Sequence, residues 1–186
     1  MWNMNYYGAK ELAEGFRTVR KNTIIIAEEI GEQHYGFQAA PDTRTVASML
    51  THIAMVPRLQ EQIHGVERRT TLDGFDFLAF VGEMKADEQM SRSKAQLIGF
   101  LKEEGDRFAQ WLDSLSDDFL GEHVSMRPGM TPASKTRFEM ILGVKEHEMH
   151  HRGQLMLIER MIGVVPHLTR QMQERMAQAQ QRQQKS

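Results

Sequence analysis

The chain of 186 residues contains no cysteine. Disulfides, thiolate nucleophiles and cysteine-ligated metal centres are therefore excluded. Proline is scarce, at five residues. Period-two alternation of apolar and polar residues is also rare, which argues against a sheet-built domain. No apolar run approaches the roughly 20 residues of a membrane-spanning helix. The longest are short, as at Ile24-Ile25-Ile26-Ala27. Neither sign of charge dominates: 23 Lys and Arg face 25 Asp and Glu, a formal −2. A protein built to grip nucleic acid or an acidic membrane would carry a basic excess. The stretch Met1-Trp2-Asn3-Met4-Asn5-Tyr6-Tyr7 lacks the basic cluster and apolar run of a secretory signal. The expectation is a cytoplasmic protein.

What remains is helical. The spacing predicts a first helix from Ala9 to Glu32 and a second from a cap at Asp42 or Thr43 to His64, kinked at Pro57. Gly65 to Gly74 reads as a polar loop, and Phe75 to Met84 as a partial helix. A third long helix covers Ser91 to Leu115, with Leu97, Ile98, Leu101, Phe108, Trp111 and Leu112 at helical spacing. After a connector over Asp117 to Thr131, Thr131-Pro132 resembles an N-cap with proline in the first turn. A fourth helix from Ala133 to Ile162 stops at Gly163 and Pro166. A fifth segment runs from His167 to Ala179, and the glutamine-rich end, Gln178 to Ser186, is expected to fray. The fold class that follows is all-α, a four-helix bundle with a short extra C-terminal helix. One domain is expected over residues 1–168, with a polar helix or tail over 169–186.

Eight histidines stand out in this composition. On the fourth helix Met140, Val144, His147, His151, Leu155, Ile158 and Ile162 share one stripe. Side chains four apart on a helix are neighbours, so His147 and His151 can converge on one ion. On the second helix Met49, His52, Val56, Leu59 and Ile63 share a face, which turns His52 inward as well. If the two helices are neighbours, three imidazoles meet. Such a set suits zinc, nickel or ferrous iron and leaves coordination positions open. His150 points about 100° away from His151. His34, His64, His123 and His167 fall near element ends or in loops and read as surface residues.

Residues His147-Glu148-Met149-His150-His151 also match the H-E-x-x-H helix of zinc peptidases, whose glutamate activates water. The extended form needs Gly at 154 and His at 157, where this chain has Gln154 and Leu157. Glu148 lies off the histidine stripe and reads as a boundary or solvated residue. The metallopeptidase is therefore the remote alternative.

The segment from His147 through Arg152-Gly153-Gln154-Leu155 resembles the H-x-x-x-H-R-G-Q-L signature of the DinB/YfiT-like superfamily. Its continuation to Gly163-Val164-Val165-Pro166 is similar to that family's Gly-x-x-Pro ending, and Met49-Leu50-Thr51-His52-Ile53-Ala54 resembles its first-ligand helix. The resemblance implies an up-and-down bundle holding a divalent metal through His52, His147 and His151. It also implies kinship with transferases and isomerases that use small thiols such as bacillithiol or mycothiol, beside many members without an assigned reaction.

The functional expectation is a metal-dependent enzyme of thiol-transferase or hydrolase type. With no cysteine in the chain, a thiolate would have to come from a small thiol cosubstrate. The alternative is a non-catalytic, metal-stabilised binding or structural module. A second apolar stripe, Phe138, Leu142, Met149 and Met156, belongs to the core or to an interface, and a homodimer is expected. The basic tail from Arg170 to Ser186 lacks aromatic residues and reads as a solvated helix end, so no nucleic-acid partner is expected.

Overall fold

A computed structural model describes residues 7–184. The expectations for residues 1–6 and for Lys185 and Ser186 lie outside the described residues. Helix α1 (Ala9–Glu29) opens with Glu11 accepting the Gly8 N–H at 2.9 Å. Helix α2 (Val46–Met55) is capped by Thr45, which accepts the Ser48 N–H at 3.0 Å. The cap expected at Asp42 or Thr43 falls two or three residues too early, because the Thr43 hydroxyl instead closes a turn with Ala40. Pro57 divides the second helix as expected. A new helix, α3 (Pro57–Gln60), starts on the proline and passes into a π-helical turn, Glu61–Val66.

Helix α4 (Phe77–Glu88) leads to α5 (Lys94–Asp113), capped reciprocally by Ser93 and Gln96. The connector contains a short helix, α6 (Asp117–Gly121), and a strand, β1 (His123–Ser125), paired antiparallel with β2 (Ser134–Thr136). This hairpin corrects the expected start of the next helix at Thr131-Pro132. Residues up to Thr136 are committed to strand pairing, and Thr136 with Glu139 forms the capping box that starts α7 (Arg137–Met161). Beyond Gly163, α8 (His167–Gln183) continues through the stretch expected to fray.

The expected all-α four-helix bundle with an extra C-terminal helix is the observed architecture. Helix α1 packs against α5 and α7, and the α2–α3 unit packs against the same two. Chain neighbours α1 and α2 therefore occupy opposite corners. One apolar cluster gathers Ile26, Ile30, Val46, Leu50, Leu97, Leu101, Leu155 and Ile158. The other gathers Leu12, Phe16, Phe108, Leu112, Ile141 and Val144. The first holds the start of both α2 and α5, so these two run in the same direction and α4 lies on the return path between them. No described helix is long and apolar enough to cross a membrane.

Between the clusters lies a buried ion pair. Arg20 of α1 donates through Nε to both Glu148 oxygens, at 3.0 and 3.1 Å, and through Nη2 to Oε2 at 3.0 Å. Its Nη1 reaches the Leu101 carbonyl on α5 at 2.8 Å, and Nη2 reaches the Ile53 carbonyl on α2 at 3.1 Å. One guanidinium thus joins all four helices of the bundle. Gly105 makes room for it: a Cβ there would stand 2.8 Å from Arg20 Cγ. Glu148, expected at a boundary, is 2% exposed. The buried face of α7 runs through Ile141, Val144, Glu148, His151, Leu155 and Ile158, slightly rotated from the stripe read from apolar residues alone.

A second buried carboxylate sits where α8 joins α1 and α7. Glu159 is fully buried, and neither of its oxygens has a partner among the described residues. Burial, and then the charge of Glu29, push its pKa from 4.5 up to about 7, against the pull of Arg170 and Arg160. Arg170 of α8 pairs with Glu29, and His167 faces Asn22 at 3.2 Å.

Two outcomes are expected. Arg20→Met leaves Glu148 buried and unpaired, which costs about 3–5 kcal/mol. Arg20→Met combined with Glu148→Met removes both charges and recovers most of that loss, as a urea-melt double-mutant cycle will read. Glu159 binds its proton more tightly when folded, so its contribution is full below pH 4.5 and lost as pH rises through about 7. Wild-type melting temperature minus that of Glu159→Gln should therefore fall across this window; a flat difference refutes it.

Candidate metal centre

His52 comes from the last turn of α2, and His147 and His151 from successive turns of α7. The structure brings these three together: one nitrogen from each lies within 4.8 Å of the others. His147 Nε2 stands 3.3 Å from His52 Nε2 and 3.2 Å from His151 Nε2. A tetrahedral zinc ion about 2.05 Å from each nitrogen would hold its ligands about 3.3 Å apart. The spacing therefore fits a shared divalent ion.

The far side of two rings is already committed. His52 Nδ1 lies 2.8 Å from Glu88 Oε1, and His151 Nδ1 lies 2.7 Å from Gln154 Oε1. A carboxylate only accepts, and so does an amide oxygen, so both Nδ1 atoms carry the proton. Both Nε2 lone pairs then face inward, toward His147. His147 Nδ1 is buried without a partner among the described residues. A metal on Nε2 would give this third ring its main polar contact.

Protonation also favours ligation. Burial, with the Arg44 charge, pushes the His52 pKa down to about 4 despite Glu88. Burial and the neighbouring imidazoles of His151 and His52 bring His147 to about 4. Burial lowers His151 too. All three rings are neutral at neutral pH, the form that binds metal.

A cavity of about 950 Å³ opens beside the centre, with His151 on its wall together with Arg44, Glu88, His150, Gln154 and Leu157. His150 is exposed, and the Gln154 amide nitrogen lies 3.2 Å from its Nε2. Glu148 has no place here. Arg20 occupies both of its oxygens on the core side, so it is not available as the water-activating glutamate of an H-E-x-x-H peptidase.

Two other histidines correct the surface reading. His64 is fully buried: its Nδ1 accepts from Arg137 Nη1 at 2.9 Å and its Nε2 faces Gln60 Oε1 at 2.9 Å. Burial and Arg137 push its pKa down to about 4. His167 is 4% exposed, under the α8 junction. His34 is half-buried and His123 exposed. Of the second apolar stripe, Phe138, Leu142 and Met156 pack partly buried against the core clusters, while Met149 remains 44% exposed.

Sequence reasoning missed Glu88, Arg44 and Ser48. Glu88 is 36 residues from His52, beyond any helical spacing. Gln154 was within reach, three residues from His151 on one helix. The metal assignment is checked by stripping and reloading the protein with zinc, followed by elemental analysis. His52→Ala, His147→Ala and His151→Ala should each lose tight metal while keeping helical circular dichroism, and His123→Ala should keep both. Metal content equal to the parent in the three triad variants would exclude this centre.

Comparison with known proteins agrees with the fold. A search among curated proteins finds no sequence match. Among solved structures, a DinB-like protein from Bacillus subtilis is 20% identical with a TM-score of 0.61, covering 82% of this chain and 92% of that one. YfiT from Bacillus subtilis, described as a probable metal-dependent hydrolase with an unusual four-helix bundle topology, is 15% identical with a TM-score of 0.65, covering 88% and 93%. A protein from Streptococcus pneumoniae is 17% identical with a TM-score of 0.63, covering 84% and 92%. At these identities the likeness is one of fold. The family model of the DinB superfamily matches residues 16–155, most of the chain, and the chain belongs to that superfamily.

Proposed function

We propose that this protein is a metal-dependent enzyme in which His52, His147 and His151 hold one divalent cation, zinc, nickel or ferrous iron. The observation that carries this reading is the convergence of three Nε2 atoms, at 3.2 and 3.3 Å, beside a cavity of about 950 Å³. A cation bound by three neutral imidazoles keeps coordination positions open and supplies Lewis acidity, lowering the pKa of a water or a thiol placed there.

The protein's own groups do the rest. Glu88 and Gln154 hold two ligand rings with their lone pairs inward. Leu157, Met49 and Ile158 give the cavity an apolar side. Glu148 is engaged by Arg20, which leaves no carboxylate of the peptidase type at the metal. The chain has no cysteine, so in a thiol-transfer reaction the sulfur nucleophile arrives with a small cosubstrate. Hydrolysis and thiol transfer to an electrophile are the two reaction types this arrangement serves.

The test is a substrate panel run with the zinc-, nickel- and iron-loaded protein. One arm offers esters, amides and lactones; the other pairs small thiols with electrophiles. Turnover that depends on metal and disappears in His147→Ala supports the proposal. Stoichiometric metal that raises the melting temperature, with no turnover in either arm, overturns it in favour of a structural metal centre.

A further inference from the structure

Helix α4 has little apolar reason to stay where it is. Of its 12 residues only Met84 is buried, and Phe77 and Leu78 are 41% and 81% exposed. Among the bundle helices it packs chiefly along α2. Its firmest attachment is polar and lies at its last residue. Glu88 accepts from Arg44 Nε at 2.9 Å, Arg44 Nη2 at 3.3 Å, Ser48 Oγ at 3.2 Å and His52 Nδ1 at 2.8 Å. Arg44 precedes the Thr45 cap, while Ser48 and His52 lie one turn apart on α2, so one carboxylate ties the entry of α2 to its last turn.

Resting on the metal reading above, we propose that Glu88 is a positioning residue for the centre and that metal occupancy and the docking of α4 stabilise each other. The carboxylate offers only lone pairs, so it holds the His52 proton on Nδ1 and leaves Nε2 bare toward His147. Without it the ring could rotate or carry its proton on Nε2, where it blocks a cation. The link runs both ways. A cation on Nε2 withdraws electron density from the ring and makes Nδ1–H a stronger donor to Glu88. A tighter hydrogen bond to Glu88 fastens the end of α4 to α2. Coupling between the two events is reciprocal by thermodynamic necessity. Arg44 balances the Glu88 charge in the absence of metal and keeps the carboxylate aimed at the ring. Helix α4 is thus the element through which the centre reports whether it is filled, and Glu88 and Lys85 carry that report onto the wall of the cavity.

The experiment uses the full chain stripped of metal, with Zn²⁺ as the probe. The variants are Glu88→Ala, which removes the acceptor altogether, and, as a control for charge, Glu83→Ala on the exposed side of the same helix. Calorimetric titration should show zinc affinity about 10–100-fold lower in Glu88→Ala and unchanged in Glu83→Ala. Zinc should slow amide exchange over residues 77–88 in the wild type and in Glu83→Ala, but not in Glu88→Ala. Nitrogen-15 NMR of the metal-free wild type should show His52 as a single Nδ1–H tautomer, and a mixture in Glu88→Ala. Parent-like zinc affinity in Glu88→Ala overturns the proposal, as does an α4 exchange response in that variant equal to wild type. A His52 Nε2–H tautomer in the wild type overturns it without any variant. A wild type that binds no zinc, while His52 still shows the Nδ1–H tautomer, sinks the metal reading and the coupling but leaves the Glu88–His52 contact standing.

Discussion

The Arg20 guanidinium sits where water cannot reach it and donates to Glu148, to the Leu101 carbonyl and to the Ile53 carbonyl. A charge in that position is tolerated only if every donor is met, because an unpaired buried ion costs several kcal/mol. The requirement turns one side chain into a constraint on four helices. If any of them slid by a residue along its axis, a carbonyl or a carboxylate would leave its place. Apolar packing alone is less strict, since leucine and isoleucine faces accept small shifts more readily than hydrogen bonds do.

The three-histidine cluster inherits its geometry from that constraint. Ile53 follows His52 in the chain, and Glu148 follows His147. Fixing the Ile53 carbonyl and the Glu148 carboxylate on one guanidinium therefore fixes the level at which the two histidines face each other across the bundle. On α7, Glu148 points to Arg20, while His147 and His151 point to His52 of α2. The pentapeptide that resembles a peptidase motif is thus divided between bracing the bundle and forming the histidine cluster. Its glutamate belongs to the first.

Outside the brace, several buried polar groups of this bundle follow one rule. His64 is buried because Arg137 and Gln60 meet both of its nitrogens. Glu104 is buried because Arg58 and Arg107 close on it at 2.7 and 2.8 Å. Glu159 departs from the rule: neither oxygen meets a partner among the described residues, and burial pushes its pKa up to about 7. Glu88 obeys it beside the histidine cluster, where satisfying a carboxylate also orients an imidazole.

Much of the molecule was legible one helix at a time. Apolar spacing, caps and stop signals are local, since they depend on residues three or four apart; they placed the long helices, put His147 and His151 on one side and turned His52 inward. The motif from His147 to Leu155 was equally local, and it named the family. Errors arose where a distant partner set the outcome. Thr136 starts α7 because residues 134–136 pair with β1, a contact across the hairpin. Glu148, His64 and His167 are buried because of Arg20, Arg137 and Asn22, which are 128, 73 and 145 residues away. Glu88 reaches His52 only because α4 folds back over α2. The triad was thus readable as two separate histidine faces, and tertiary packing alone brought those faces to 3.3 Å. The burial of a charged or polar side chain is decided by what meets it, and spacing along one helix carries no record of a partner on another.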